Sequence, residues 1–135
     1  MADSHVAAMV QLLLSQVLDP TLGGISPPPL PSGVSTPYIT IQKVGGRELE
    51  SLGGRSGYCE SIMQLNFWDK DYETADAMRE AVKSFLIPAG ATGYQGPAGS
   101  LFIGGINHNI DTELYDPARE VHQCITRLQV VWVTT

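Results

Sequence analysis

Positive charge is scarce in this sequence: Lys and Arg number 8 against 14 Asp and Glu, no two basic residues are adjacent, and the formal net charge is −6. Non-specific grip on nucleic acid comes from neutralised phosphates, so this balance excludes a tight nucleic-acid binder. Charge of either sign is low, 16% of residues against the roughly 25% usual in soluble domains, which leaves surface for partners. Cysteine is limited to Cys59 and Cys124, with no C-x-x-C and no Cys/His cluster, which excludes a zinc site and a disulfide-dense scaffold. Long apolar runs are missing as well. The stretch Val6 to Leu14 is interrupted by Gln11, too short to span a bilayer and without a positive leader, so folding in the cytosol is expected.

What is present is one domain's worth of chain, residues 1–135, with 43% hydrophobic residues, 14 Gly and 9 Pro. Val6, Met9, Val10, Leu13 and Val17 repeat at helical spacing behind a potential cap at Ser4, which predicts a first helix ending at Leu18 or Asp19. Residues 27–37 hold a Pro27-to-Pro31 run and predict an extended connector. Two strands follow, Tyr38 to Val44 and Tyr58 to Trp68; the second has one face of Met63, Leu65 and Phe67 and a mixed face of Ile62, Gln64, Asn66 and Trp68 fit for a partner. The glycine-bounded stretch 45–57 between them is too long for a tight turn and predicts a mobile hairpin arm.

Asp71 is placed to cap a helix from Tyr72 to Leu86, buried through Ala75, Met78, Ala81, Val82, Phe85 and Leu86 and wet along Glu73, Asp76, Arg79, Glu80 and Lys83. Residues 88–100 are glycine-rich and predict a surface loop. Strand spacing resumes from Ile106 to Leu114, with Ile110, Thr112 and Leu114 on one face and Asn107, Asn109, Asp111 and Glu113 on a wet, acidic one. The last strand, His122 to Val133, sets Cys124, Leu128, Val130 and Trp132 against Ile125, Arg127, Gln129, Val131 and Val133. Two hairpins joined through a helix predict an α+β fold: a single four-stranded, mostly antiparallel sheet, two helices packed on one face, and a long hairpin arm.

Catalytic patterns are weak. Gly45-Gly46-Arg47 and Gly53-Gly54-Arg55 open no helix and lack the G-K-[ST] of a phosphate loop. Asp69, Asp71 and Glu73 open like a calcium loop, but Thr74 stands where the loop needs glycine, and capping is the better reading. His5, His108 and His122 have no ligand spacing, and Ser56 is not in a nucleophile elbow. No catalytic residue, metal ligand or cofactor is expected, and no enzyme.

The segments Pro37-Tyr38-Ile39-Thr40-Ile41, Ile62-Met63-Gln64-Leu65-Asn66-Phe67-Trp68 and Tyr72-Glu73-Thr74-Ala75, in this order of elements, resemble the tail-completion, or tail-terminator, family of long-tailed bacteriophages. The resemblance runs from the first helix through the last strand. It implies a structural virion protein, assembled in the host cytoplasm into a hexameric ring at the head-proximal end of the tail, where it ends tube polymerisation and joins tail to head. The implied partners are other copies of the chain, the tail-tube protein and head-completion or connector proteins, with DNA passing through unbound and no membrane involved. Arg47, Glu48, Leu49, Glu50, Leu52 and Arg55 of the arm are the candidate assembly contacts, and Asp111 and Glu113 the candidate lumen-facing acids. The competing readings are a tail-tube or connector subunit of related fold and a small-molecule-binding α/β domain with a pocket around Trp68, Tyr94 or Trp132.

Overall fold

Alternating β-branched and aromatic residues build two long antiparallel hairpins, and these set the architecture. The computed structural model describes residues 3–16, 24–26, 37–51, 54–87, 96–98 and 101–133. In chain order these form α1 (Asp3–Gln16), β1 (Gly24–Ser26), β2 (Tyr38–Ser51), β3 (Gly54–Asp69), α2 (Tyr72–Leu86), β4 (Gly96–Ala98), β5 (Leu101–Asp116) and β6 (Val121–Val133). The sheet order is β1-β2-β3-β6-β5-β4, antiparallel throughout except that β1 runs parallel to β2.

This corrects the expected single four-stranded antiparallel sheet: six described strands form a mixed sheet. The two additions are three-residue edge strands, one just before the predicted connector and one inside the predicted loop, too short to show any alternation. Gly24 lets β1 pass close to β2, because a Cβ there would stand 2.7 Å from the Tyr38 ring, whose hydroxyl donates to Ser26 Oγ at 3.0 Å. Pro97 is tolerated in β4 because an edge strand can spare one N–H. The 27–37 connector before Pro37, the arm tip at 52–53 and most of the 88–100 loop lie outside the described residues.

The sheet is curled into a half-barrel. α1 lies against β1 and β2 at one end of the strand order and against β4 at the other, which a flat sheet could not allow. Bulges supply the bend: Val44, Gly104 and Asn109 are each left over in their ladders. α2 covers β3 and β6. Both helices join one core with Ile39, Ile41, Met63, Leu65, Phe67, Ile103, Ile106, Leu128, Val130 and Trp132, each fully or almost fully buried. Burial of one such side chain contributes roughly 1.5–3 kcal/mol.

α2 occupies the predicted residues. The Asp71 N-cap is extended; its Oδ2 accepts from Thr74 Oγ1 at 2.8 Å, while its own N–H donates to Asp69 Oδ1 at 2.8 Å. Ala81 is exposed rather than buried, and Arg79, expected in water, is only 5% exposed. At α1, Ser4 lies inside the helix rather than before it. The predicted arm is backbone-paired out to Ser51↔Gly54: β2 and β3 pair from Tyr38↔Trp68 onwards, with register shifts at Val44 and again between Leu49 and Glu50.

Candidate assembly surfaces

The concave side of the sheet holds the helices; no described element covers the convex side of the three central strands. That face carries a polar ladder. Thr40 Oγ1 accepts from Trp68 Nε1 at 2.9 Å and from Asn66 Nδ2 at 3.1 Å. Asn66 Oδ1 in turn accepts from Gln64 Nε2 and Gln123 Nε2, each at 2.8 Å, and Gln64 Oε1 accepts from Arg127 Nε at 2.9 Å. Each amide is fixed by its neighbours; Thr40 and Asn66 are themselves buried, and the ladder's accessible edge is the half-buried Gln64 and Gln123 and the exposed Arg127. Beside the ladder runs a shallow groove of about 420 Å³, lined by Gln64, Ile110, Thr112, Leu114, Gln123, Ile125 and Arg127, with Arg127 its one charged side chain.

The apolar wall of that groove reverses an expectation. Ile110 and Leu114 are 51% and 57% exposed, and Asp111 and Glu113 turn towards α2 instead. The reason is the bulge at Asn109: His108 pairs with Leu128 and Ile110 with Arg127, so the strand's two-residue alternation restarts one residue late. Of the six exposed large hydrophobics among the described residues, Phe102, Ile110, Leu114 and Tyr115 belong to β5. Among the described residues one strand therefore carries most of the exposed large hydrophobics.

Asp111 and Glu113, the candidate lumen acids, are engaged with cations of α2. Asp111 accepts from Lys83 Nζ and Thr126 Oγ1, each at 2.6 Å, and is 2.8 Å from His108 Nε2. Burial works against ionisation there, but these hydrogen bonds prevail and hold the carboxyl well below the usual carboxylate range. Arg79 Nη1 lies 3.5 Å from Glu113 and donates to the backbone oxygens of Thr112 at 3.1 Å and Ile125 at 3.3 Å, while Nη2 donates to Asp76 at 2.7 Å. Arg79 thus ties α2 to β5 and β6. Its place four residues after Ala75 and three before Val82, on the buried stripe, was the available sign of this role. The backbone of Arg47, Glu48, Leu49, Glu50 and Arg55 continues the β2–β3 ladder, and Leu52 lies outside the described residues.

The remaining reactive side chains are dispersed. His5 stacks on Trp132 with ring centroids 4.7 Å apart, and burial lowers its pKa to about 4. Trp132 Nε1 donates to Ser61 Oγ at 2.7 Å. His122 meets Tyr115 and Tyr72 at 4.7 and 5.8 Å between centroids. Cys59 and Cys124 are free thiols far apart along the ladder, opposite Trp132 and Phe67 respectively. Among the described residues no group of three or more His, Cys, Asp or Glu could hold a metal ion.

An ordered, almost uncharged open sheet face and a hairpin running out to Ser51 and Gly54 define a structural protein built to be assembled with others. The chain belongs to the tail completion protein gp17 family, which matches residues 5–132. It is a phage-like tail structural protein and a virion component, working in contact with other tail and head proteins. Its fold is similar to that of a chain in the solved virion of a native gene transfer agent particle, with a TM-score of 0.56 and 12% identity over 96% of this chain and 87% of that one. No curated protein matches the sequence.

Proposed function

We propose that the protein forms a hexameric ring at the head-proximal end of the tail, where it ends tube polymerisation and joins the tail to the filled head. The observation that carries this reading is the convex groove, whose exposed Ile110, Leu114 and Arg127 a lone subunit would leave in water beside the ordered amides of Gln64 and Gln123. Rings need two different patches per subunit, and the β2–β3 hairpin offers a second. The partners are then further copies of the chain, the tube protein and head-completion or connector proteins, met in the host cytoplasm, with no catalysis and no cofactor. DNA passes through the lumen unbound. The acidic excess keeps it moving, and Glu113, its side chain still 44% exposed, and Asp111 are the carboxylates proposed to face it.

A tail-tube or connector subunit of related fold would use the same hairpin, and copy number separates the two. Quantitative mass spectrometry of purified particles is expected to give about six copies, a single ring. Many tens of copies would assign the chain to the tube.

A further inference from the structure

α2 presents a flat, acidic stripe to solvent. Glu73, Ala77, Glu80, Ala81 and Ser84 are all exposed, and their spacing of three and four residues puts them on one side of the helix. Small side chains at Ala77, Ala81 and Ser84 allow another surface to approach the helix closely. Glu80 is shared with Lys83 at 3.5 Å and Arg79 at 3.8 Å, whereas Glu73 has no ion pair among the described residues.

The convex groove is complementary in charge. Arg127 is its only cation, and its Nε is held by Gln64, which leaves the two terminal nitrogens to bind a carboxylate. Ile110, Ile125 and Leu114 form an apolar wall that the low-profile helix stripe can cover. Two copies meeting groove to groove would oppose Arg127 to Arg127 in a symmetric contact, which like charge disfavours. Helix to groove, by contrast, pairs opposite charges and joins two different patches, as ring closure requires.

We infer that the α2 stripe of one copy seats in the convex groove of the next, with Glu73 paired to Arg127 across the interface. This rests on the ring reading above and names the surfaces that close it. It also gives the exposed β5 residues a function, since Ile110 and Leu114 lie under the neighbouring helix.

The test uses particles assembled with variant protein supplied in place of the natural chain. Ala77→Cys and Leu114→Cys are combined in one chain, both at exposed positions, with each single variant as control. Under mild oxidation the combined variant is expected to give a ladder of covalent multimers on a non-reducing gel, while the single variants stay monomeric. Joined tails that yield only monomer from the combined variant would overturn this interface and leave the ring reading standing. The ring reading has its own separate failure, tails of normal length joined to heads when the protein is absent. A charge exchange checks the pair independently: Arg127→Glu is expected to lower the yield of joined particles about tenfold, and Glu73→Arg on the same chain to restore it. Failure of the second change to restore the yield would overturn the pairing even if the cysteine variant does not assemble.

Discussion

At Arg79, one side chain does the work of several contacts, and its loss has a calculable effect. Arg79→Ala removes donors from the carbonyls of Thr112 and Ile125 and leaves a hole beneath β5. The partner carboxylates are partly exposed and add little, so the expected destabilisation is about 2 kcal/mol, from the unpaired backbone acceptors. Urea denaturation measures it; a change below about 0.5 kcal/mol, as at an ordinary surface site, would contradict the assignment. His5 and Asp111 both contribute to the pH response. The unfolded His5 takes up a proton below about 6.5 while the folded one resists until about 4, so stability falls as pH drops through that window. Asp111, whose folded pKa is depressed, contributes stability above the unfolded carboxylate value that is lost on further acidification. Melting temperature is therefore expected to rise from pH 4 to pH 6.5, and His5→Phe, which keeps the stack on Trp132, to flatten that rise. An unaltered slope in the variant would refute the role of His5.

The elements show which structural signals are local in sequence. α2 and β6 were legible because their residues alternate or repeat without interruption, from Tyr72 to Leu86 and along Cys124, Leu128, Val130 and Trp132. β5 was legible as a strand but not in its facing, because nothing about Asn109 in sequence announces that it will be skipped. β1 and β4 were hidden because three residues carry no period and their pairing comes from distant strands. The face of Ile62, Gln64, Asn66 and Trp68 was legible as mixed in polarity, while the groove beside it depended on the unread bulge. Gly24 gives this scale its test. Gly24→Ala would drive a Cβ into the Tyr38 ring and is expected to cost about 1–2 kcal/mol and to speed amide exchange in β1. Unchanged exchange at Ile25 would mean that β1 does not depend on that close approach.

For the whole molecule, a curled sheet with helices inside and an open face outside gives a subunit with separate surfaces for itself and for assembly. The β2–β3 hairpin is proposed to reach a partner. Removing residues 47–55 spares the ladder from Tyr38↔Trp68 to Gly46↔Ser61 and is expected to leave the fold intact while abolishing tail joining, as scored by electron microscopy of lysates. Normal joining by this variant would remove the arm from the account. The most direct measurement of the central claim is tail length, by electron microscopy, in particles produced without the protein. Overlong or irregular tails separated from filled heads are predicted; tails of normal length attached to heads would contradict the claim.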